Sequence, residues 1–328
     1  MSILYPLKFT PTYFEKIWGG QHVKTLLNQD FGDLMNCGEA WLISGLEGQN
    51  SIVSNGAFAG DELNDLIETF MGDLVGEEVF NRFGERFPLL IKIIDPLDSL
   101  SVQVHPDDEL AHQNGLENGK TEMWYVMNAD KGAKLVSGFK RDVTPEEFEQ
   151  AIKETKVEEL LNYVSVQNDD VFFIPARKIH ALGAGCMVAE IQQTSDTSYR
   201  VYDWDRIDRY GMRRQLHIDE ALATIEFKKD TDSKTVYDKK TVNSTVKLVS
   251  CPYFTTNIIK LHKATLKKDY SELDSFVILM SVAGDFTLSY EGGDENIKAG
   301  ECILVPNLIK NVSITAHEEC KILEVYIV

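Results

Sequence analysis

Apolar positions along the chain come mostly in short runs separated by Gly, Asn and Asp, which is typical of β-strands joined by turns. In the first two thirds of the chain this pattern predicts strands over Glu39–Ser44, Leu89–Ile94, Ser101–His105, Met123–Asn128, Lys134–Ser137, Asp170–Pro175 and Met187–Gln193. A second series is predicted over Thr255–Leu261, Phe276–Ala283, Asp285–Tyr290, Glu301–Pro306 and Lys321–Ile327. Such short, regularly spaced strands favour antiparallel sandwiches or barrels.

Three stretches have apolar residues at helical spacing instead, and we predict helices over Gly60–Phe83, Thr144–Tyr163 and His217–Ile225. The second opens with Thr144, then a proline, then a glutamate three residues after the threonine. This order is typical of a capped helix N-terminus. The expected fold is therefore mainly β with a few helices.

Two halves of the chain repeat one pattern, which indicates two related domains. Asp169–Pro175 and Gly300–Pro306 each run from polar residues through four apolar residues to a proline. The first copy has His180 five residues after its proline, whereas the second has Asn311 at the matching position. The polar stretch 228–242 is interpreted as the linker. It separates a domain at 1–227, which has this candidate functional histidine, from a domain at 243–328, which lacks it.

Composition narrows the possible partners. The 328 residues carry 33 Lys and Arg against 52 Asp and Glu, a formal charge of −19 that disfavours nucleic-acid binding. No apolar run approaches the length of a membrane span, and the N-terminus has no signal-peptide pattern. Five scattered cysteines, never in CxxC spacing, indicate reduced thiols in a cytoplasmic protein.

Polar residues in the predicted strands suggest a metal site. Gln103 and His105 point to the same face because strand side chains alternate. Glu122 begins the next strand, and Lys120 lies two residues before it. Gln103, His105, Glu122 and His180 together offer nitrogen and oxygen ligands that suit zinc as well as Fe, Co or Mn.

The chain resembles type I mannose-6-phosphate isomerases (phosphomannose isomerases), in their short bacterial form, which belong to the cupin superfamily. The matching stretches are Trp18–Gly20, Gly38–Trp41, Leu100–Asp108, Gly119–Met123, Ile174–Gly183, Tyr199–Arg206 and Arg213–His217 with the following Ala221–Leu222. They are spread from Trp18 to about Leu222, roughly two thirds of the chain. The fold implied is two cupin-like jelly-roll barrels, with the helices inserted in and flanking the first.

The resemblance implies the interconversion of mannose 6-phosphate and fructose 6-phosphate through a cis-enediol. One zinc ion per chain is expected, on the ligand set Gln103, His105, Glu122 and His180. Catalytic roles fall on Arg200, Lys120 and Glu190, and substrate binding is expected from Lys120, Arg200, Arg177 and Lys178. The partner is then a small phosphosugar, and the protein is expected to be a monomer or homodimer.

Several roles stay open at this level. Lys120 is either the base or a ligand of a sugar or phosphate oxygen, and Glu190 is either a base or a buried ion-pair partner. Arg200 remains protonated and can only stabilise negative charge. Arg206 is flanked by aspartates and is interpreted first as a rim charge. Glu39, between Trp18 and Trp41, is expected to be a paired carboxylate among core aromatic residues.

The sequence departs from larger family members at one motif. They read Asn-His-Lys-Pro-Glu-Met where this chain has Asn118–Met123 with Gly119 and Thr121, so any role of that histidine is in doubt here.

Two other functions are compatible with the pattern. One is a different metal-dependent cupin enzyme of the dioxygenase type, although those more often carry His-x-His. The other is a non-catalytic, sugar-binding double cupin.

Overall fold

The computed structural model describes residues 3–208 and 210–328. The first part of the chain forms β1 (Thr12–Phe14), α1 (His22–Thr25), β2 (Glu39–Ile43), α2 (Leu63–Val75), α3 (Glu77–Phe83), β3 (Leu89–Ile94), β4 (Val102–Val104), α4 (Asp108–Gln113), β5 (Glu122–Ala129), β6 (Lys134–Phe139), α5 (Pro145–Lys153), β7 (Leu161–Ser165), β8 (Val171–Ile174), β9 (His180–Ala181), β10 (Cys186–Gln193), β11 (Tyr199–Tyr202) and α6 (Ile218–Thr224). The remainder forms β12 (Ser244–Ser250), β13 (Thr255–Asp269), β14 (Val277–Ala283), β15 (Phe286–Tyr290), β16 (Gly293–Ile297), β17 (Cys302–Val305) and β18 (Asn311–Tyr326).

Two antiparallel sheets form the first barrel. Their strand orders are β1-β2-β3-β10-β5-β8 and β11-β4-β9-β6-β7. Apolar side chains including Trp124, Leu135, Leu182 and Val188 pack together in the interior between the sheets. The predicted metal ligands lie in the same interior, so these packed apolar side chains support a polar site.

A third sheet forms the C-terminal barrel. It runs β12-β13-β18-β14-β17, and β15 with β16 extends it from β18. Its interior is apolar and includes Ile259, Leu279, Ile303 and Ile322. The prediction of a mainly β fold with two barrels is therefore confirmed.

The two barrels share one hydrophobic core. Phe87 of the first and Phe276 of the second are fully buried, with ring centroids 4.7 Å apart. The N-terminal segment also crosses between barrels, because Leu7 and Leu304 exchange two backbone hydrogen bonds of 2.8 and 2.9 Å. Burial of this much apolar surface stabilises the relative position of the barrels.

Residues 228–242, which we call the interdomain segment, lie against the first barrel. Lys234 Nζ and Lys239 Nζ contact the carboxylate of Asp170 at 2.6 and 2.9 Å. Thr235 adds a 2.8 Å backbone hydrogen bond to the carbonyl oxygen of Val171. The segment is thus a docked strap, and the division into domains on either side of it stays an interpretation.

The helix predicted over Gly60–Phe83 is split at Gly76. Gly76 has a φ of 100°, and a Cβ there would lie 2.4 Å from the carbonyl oxygen of Asp274 in the C-terminal barrel. The Asp274 carboxylate accepts hydrogen bonds from the backbone N–H groups of Glu77 and Glu78 at 3.0 and 2.9 Å. Docking against the C-terminal barrel therefore divides one predicted helix into α2 and α3.

The helix predicted over Thr144–Tyr163 is too long. Its start is confirmed, because Thr144 Oγ1 accepts a 3.2 Å hydrogen bond from the Glu147 N–H. The helix ends at Lys153, and Thr155 then adopts a left-handed φ of 57°. Leu161–Ser165 pairs with β6 instead, so strand pairing wins over helical periodicity.

None of the helices in the described ranges has the length and apolar content that crossing a bilayer requires.

Candidate active site

Strand register brings the predicted site residues into one row. In the second sheet Gln103 lies directly opposite both Arg200 and His180. Directly paired residues of antiparallel strands point to the same face. Val102 and Val104 pack on the opposite face against α5 and α6, so Gln103 shares the barrel interior with His180.

His105, Glu122 and His180 converge in the interior, and all three are almost fully buried. His105 Nε2 lies 3.5 Å from Glu122 Oε2, and His180 Nε2 lies 3.4 Å from Glu122 Oε1. Within residues 3–208 and 210–328, this is the only group of three or more His, Cys, Asp or Glu side chains whose ligand atoms lie within 4.8 Å of one another.

Backbone carbonyls fix both imidazoles in the orientation that metal binding needs. His105 Nδ1 is 2.9 Å from the Thr197 carbonyl oxygen, and His180 Nδ1 is 2.8 Å from that of Lys178. A carbonyl only accepts, so each Nδ1 carries the hydrogen and each Nε2 presents a lone pair to Glu122. Such an outer contact is typical of metal-binding histidines.

The resulting site has more acceptors than donors. Neither Glu122 Oε1 nor His180 Nε2 has a hydrogen-bond partner among the described residues. Burial and the neighbouring Glu190 carboxylate raise the pKa of Glu122 to about 7, and burial lowers the pKa of His180 to about 3. Burial also holds the pKa of His105 well below its ordinary value. Unpaired acceptors in a dry interior are costly, and a divalent cation would satisfy them, so the residues fit a metal.

Lys120 reaches the same point from the loop between β4 and β5. Its buried Nζ lies 3.1 Å from Glu122 Oε2 and 3.3 Å from His105 Nε2. Burial alone would lower the pKa of Lys120, but Glu122, Glu190 and Asp196 raise it above its ordinary value. The protein's own charges therefore favour the ammonium form, which donates hydrogen bonds.

Glu190 lies deeper in the first sheet, where it is flanked by Trp124 and Lys92 in the strand register. Its Oε2 accepts a 2.7 Å hydrogen bond from Trp124 Nε1, and its Oε1 lies 3.5 Å from Lys92 Nζ without a hydrogen-bond partner in the described part of the chain. One oxygen of this buried carboxylate thus accepts no hydrogen bond and faces the Lys92 ammonium.

Lys92 was missed by sequence reasoning, although it had a signal. It is the one charged residue of the strand Leu89–Ile94, and it is buried. Its Nζ lies between Glu190 and Glu39, 3.7 Å from the latter. Burial would raise the pKa of Glu39, but Lys92 and Lys16 lower it to about 2. Glu39 is therefore a paired carboxylate, as expected, and also part of a chain of charges that ends at Glu190.

Arg200 lies in the second sheet, across the interior from Glu190 in the first sheet. Its Nε donates to Ser101 Oγ at 3.2 Å, and an Nη donates to the Gln215 carbonyl at 2.8 Å. Burial, together with Arg214, lowers the pKa of Arg200 below its ordinary value, yet a guanidinium stays protonated in proteins. The structure thus places Arg200 beside Gln103 in register, with its head group turned towards Ser101.

Arg206 is more buried than the rim position expected for it, with a side chain 10% exposed. It contacts the carbonyl of Ser99 and lies 3.5 Å from Asp203, which also binds Arg214. Its Nε and one Nη have no hydrogen-bond partner among the described residues. Unsatisfied guanidinium donors in a cluster of arginines suit an anion.

Arg177 and Lys178 occupy the turn before His180, and both have protein partners. Arg177 Nε donates to the Thr224 carbonyl at 3.1 Å, and Lys178 Nζ lies 2.9 Å from Asp230 of the interdomain segment. The Arg177 N–H also donates to the His105 carbonyl at 2.8 Å, which links the two histidine segments. Their predicted contact with substrate stays a prediction.

Comparison with known proteins identifies the family. A model described as phosphomannose isomerase type I, catalytic domain, matches residues 6–136, and one described as mannose-6-phosphate isomerase, cupin domain, matches residues 244–327. The chain is 34% identical to mannose-6-phosphate isomerase ManA of Bacillus subtilis, over 96% of this chain and 97% of that protein. The chain belongs to the type I mannose-6-phosphate isomerase family. The resemblance found in the sequence is thereby confirmed.

Other relatives agree in sequence and in fold. A mannose-6-phosphate isomerase of Streptococcus mutans is 34% identical over 93% of this chain and 94% of that protein. The crystal structure of the mannose 6-phosphate isomerase from Bacillus subtilis superposes with a TM-score of 0.87 at 30% identity, covering 98% of this chain and 99% of that one. A phosphomannose isomerase variant from Salmonella typhimurium, at 16% identity and a TM-score of 0.80, shows the shared fold alone.

Membership in this isomerase family favours an enzyme over a silent sugar-binding cupin, and it does not support the dioxygenase-type alternative. The structure brings His105, Glu122, His180 and Lys120 into contact and sets Gln103 beside them in register. It leaves Arg177 and Lys178 in other pairings. The assignment of individual roles to these residues stays a prediction.

Removal of the Glu122 charge is expected to abolish tight metal binding. Because Glu122 lies between both Nε2 atoms, Glu122→Gln should weaken the affinity for Zn²⁺ at least about 100-fold, measured by competition with a chromophoric chelator. Glu190→Gln is the matched control, because it removes another buried carboxylate of the same barrel and should change the affinity less than about threefold. Equal losses in both variants would contradict a site centred on Glu122.

Proposed function

We propose that this chain is a metal-dependent aldose–ketose isomerase that interconverts mannose 6-phosphate and fructose 6-phosphate. The observation that carries the proposal is the convergence of His105, Glu122 and His180, with unsatisfied acceptors, beside Lys120 in a member of this family. Relatives that the chain matches over nearly its full length are named as mannose-6-phosphate isomerases. The sugar phosphate would enter the polar half of the first barrel.

The metal is proposed to be zinc, one ion per chain, held by Gln103, His105, Glu122 and His180. Two imidazoles, a carboxylate and an amide oxygen offer the borderline ligands that zinc accepts. When bound, zinc supplies Lewis-acid polarisation of sugar oxygens. The protein's part is to fix both Nε2 lone pairs through the carbonyls of Thr197 and Lys178.

Glu190 is proposed as the proton carrier between carbons, and Lys120 as the donor to sugar oxygens. Glu190 Oε1 takes the proton from C2 of the open-chain aldose, the C–H electrons form the C1=C2 bond of the cis-enediol, and the Lys120 ammonium gives a proton to O1 as the C1=O1 π electrons move onto that oxygen. Glu190 then returns its proton to C1, which takes up the electrons of the C1=C2 π bond, while O2 gives its proton to the neutral Lys120 amine and the O2–H electrons form the ketose carbonyl. The Glu190 Oε1, which accepts no hydrogen bond, and the Lys120 ammonium support this division of roles.

The phosphate is proposed to bind Arg200 and Arg206. Ser101, which holds Arg200, lies two residues from Gln103 in the chain, roughly 7 Å along an extended strand. An extended sugar phosphate can span from the predicted metal ligands to this cluster. The unsatisfied nitrogens of Arg206 support its role, and Lys120, Arg177 and Lys178 remain further predicted contacts.

A cytoplasmic location is proposed from the free cysteines. All five cysteines are free, and four of them are buried, which suits a reducing cytoplasm. The expected state in solution is a monomer or a homodimer, and the expected partner is a small phosphosugar.

Isomerase activity should depend on a removable metal. Purified protein is expected to convert mannose 6-phosphate to fructose 6-phosphate, to lose more than about 95% of this activity after chelation, and to regain it with added Zn²⁺. The ketose product is measured in a coupled assay, with Mg²⁺ re-addition as the control, because a hard, octahedral cation that prefers oxygen ligands suits a site with two imidazoles poorly. A metal-loaded protein without activity would overturn the proposed function.

The two candidate bases can be told apart by hydrogen exchange from the substrate. Glu190→Gln should abolish exchange of the C1 and C2 hydrogens with D₂O, followed by NMR, because its carboxylate carries that proton. Lys120→Met should lower kcat about 100-fold or more yet leave slow exchange detectable. Lys153→Met, on an exposed face of α5, is the control. The reverse pattern would make Lys120 the base.

Loss of the Arg206 guanidinium should weaken phosphate binding. Arg206→Gln is expected to raise KM for mannose 6-phosphate about 10-fold or more and to change kcat less than about threefold, because its contact is with the non-reacting end. Arg213→Gln, in the same hairpin but paired with Asp205 at 2.6 Å and exposed, should leave both parameters unchanged. A fall in kcat alone would argue against a phosphate contact.

A further inference from the structure

The backbone around Lys120 is held on both sides by one carboxylate. Asp108 Oδ1 accepts a 2.8 Å hydrogen bond from the Gly119 N–H, directly before Lys120. The same oxygen accepts a 2.9 Å bond from Gln193 Nε2, and Gln193 Oε1 accepts the Thr121 N–H at 2.8 Å. Asp108 therefore fixes residue 119 directly and residue 121 through Gln193.

Helix capping does not explain Asp108. The N-cap of α4 is Asp107, whose side chain accepts the Leu110 N–H at 2.9 Å. The Asp108 carboxylate turns away from the helix instead. Burial would raise its pKa, but the bonds from Gln193, Gly119 and Tyr253 lower the pKa below its ordinary value. The carboxylate is thus ionised and surrounded by donors.

The third donor comes from the C-terminal barrel. Tyr253, in the turn between β12 and β13, donates its hydroxyl to Asp108 Oδ2 at 2.8 Å. That turn is held by α3, because Arg82 donates to the Pro252 carbonyl at 2.8 Å and its guanidinium lies 5.9 Å from the Tyr253 ring centroid. Tyr253 is therefore linked through the Asp108 carboxylate, by two hydrogen bonds, to the Gly119 N–H directly before Lys120.

The sequence at 119 and 121 suits this arrangement. A Cβ on Gly119 would lie 2.6 Å from the backbone of Asp107 and Asp108, so any side chain there would push the two ends of the loop apart. Thr121 supplies the backbone N–H that Gln193 accepts, and a proline at that position would have none. Both residues permit the contacts that converge on Asp108.

We propose that Asp108 is a positioning residue for Lys120, and that the C-terminal barrel takes part in catalysis by holding Asp108 through Tyr253. The inference rests on the proposed function, in which Lys120 donates to sugar oxygens. The loop of residues 106–121 contains α4, and its two ends meet where the Lys120 N–H donates to the Pro106 carbonyl at 3.0 Å. Its end must hold an ammonium within hydrogen-bond distance of reacting atoms. A displacement of about 1 Å at such a group costs up to about 100-fold in rate.

Kinetics and hydrogen exchange together test the inference on the full-length, metal-loaded protein. Asp108→Ala should lower kcat about 100-fold, with less than about threefold change in KM or Zn²⁺ affinity, and Asp108→Asn should restore part of the loss. Tyr253→Phe should lower kcat about fivefold. In the Asp108→Ala background, Tyr253→Phe should have no further effect, because it acts through Asp108. Amides of residues 117–121 should exchange faster in each single variant.

The matched control is Tyr237→Phe, which removes the hydroxyl that binds the Asp169 carbonyl at 2.7 Å in the interdomain segment. It should leave kcat and the exchange of residues 117–121 unchanged. An active wild type with unchanged kcat in Asp108→Asn and Tyr253→Phe would overturn the inference, as would additive effects in the double variant. An inactive wild type would instead refute the proposed function, whereas the exchange measurement reports the backbone positioning without any substrate.

Discussion

Three side chains that present lone pairs to one another set the character of the first barrel. His105 and His180 each donate Nδ1–H to a backbone carbonyl, so their Nε2 atoms face the Glu122 carboxylate without a hydrogen between them. In a dry interior this arrangement costs free energy unless a cation is present. Lys120 and most other polar groups of the barrel are charges and hydrogen-bond donors placed around these unsatisfied acceptors.

Opposite charges alternate through the interior around this point. Lys92 lies between Glu39 and Glu190, and Lys120 lies beside Glu122. The C-terminal barrel has an apolar interior and contributes from outside, with Phe276 in the shared core and Tyr253 at the loop of residues 106–121. In the proposed function, one barrel carries the chemistry and the other helps to position the residues that perform it.

Sequence reasoning reached the proposed ligand set because period-two alternation puts Gln103 and His105 on one face and because the family motif names their partners, and three of its members converge in the structure. The strand pattern also predicted both barrels. It did not predict the break at Gly76 or the strand Leu161–Ser165, since contacts with distant parts of the chain decide both. Asp108 and Tyr253 are 145 positions apart, so local pattern could not link them. Lys92 is the one charged residue in an otherwise apolar strand, a signal of a buried charge that sequence reasoning did not use.

The pairing of Leu7 with Leu304 has a consequence for how the protein is made. The neighbouring Lys8 and Thr10 pair with Ser54 and Ile52, but the partner of Leu7 lies near the end of the chain and is absent while the ribosome is still producing the first barrel. Contacts of such sequence separation slow folding. Co-translational folding of the first barrel therefore has to proceed with the shared core open, and it is completed only after the C-terminal strands emerge.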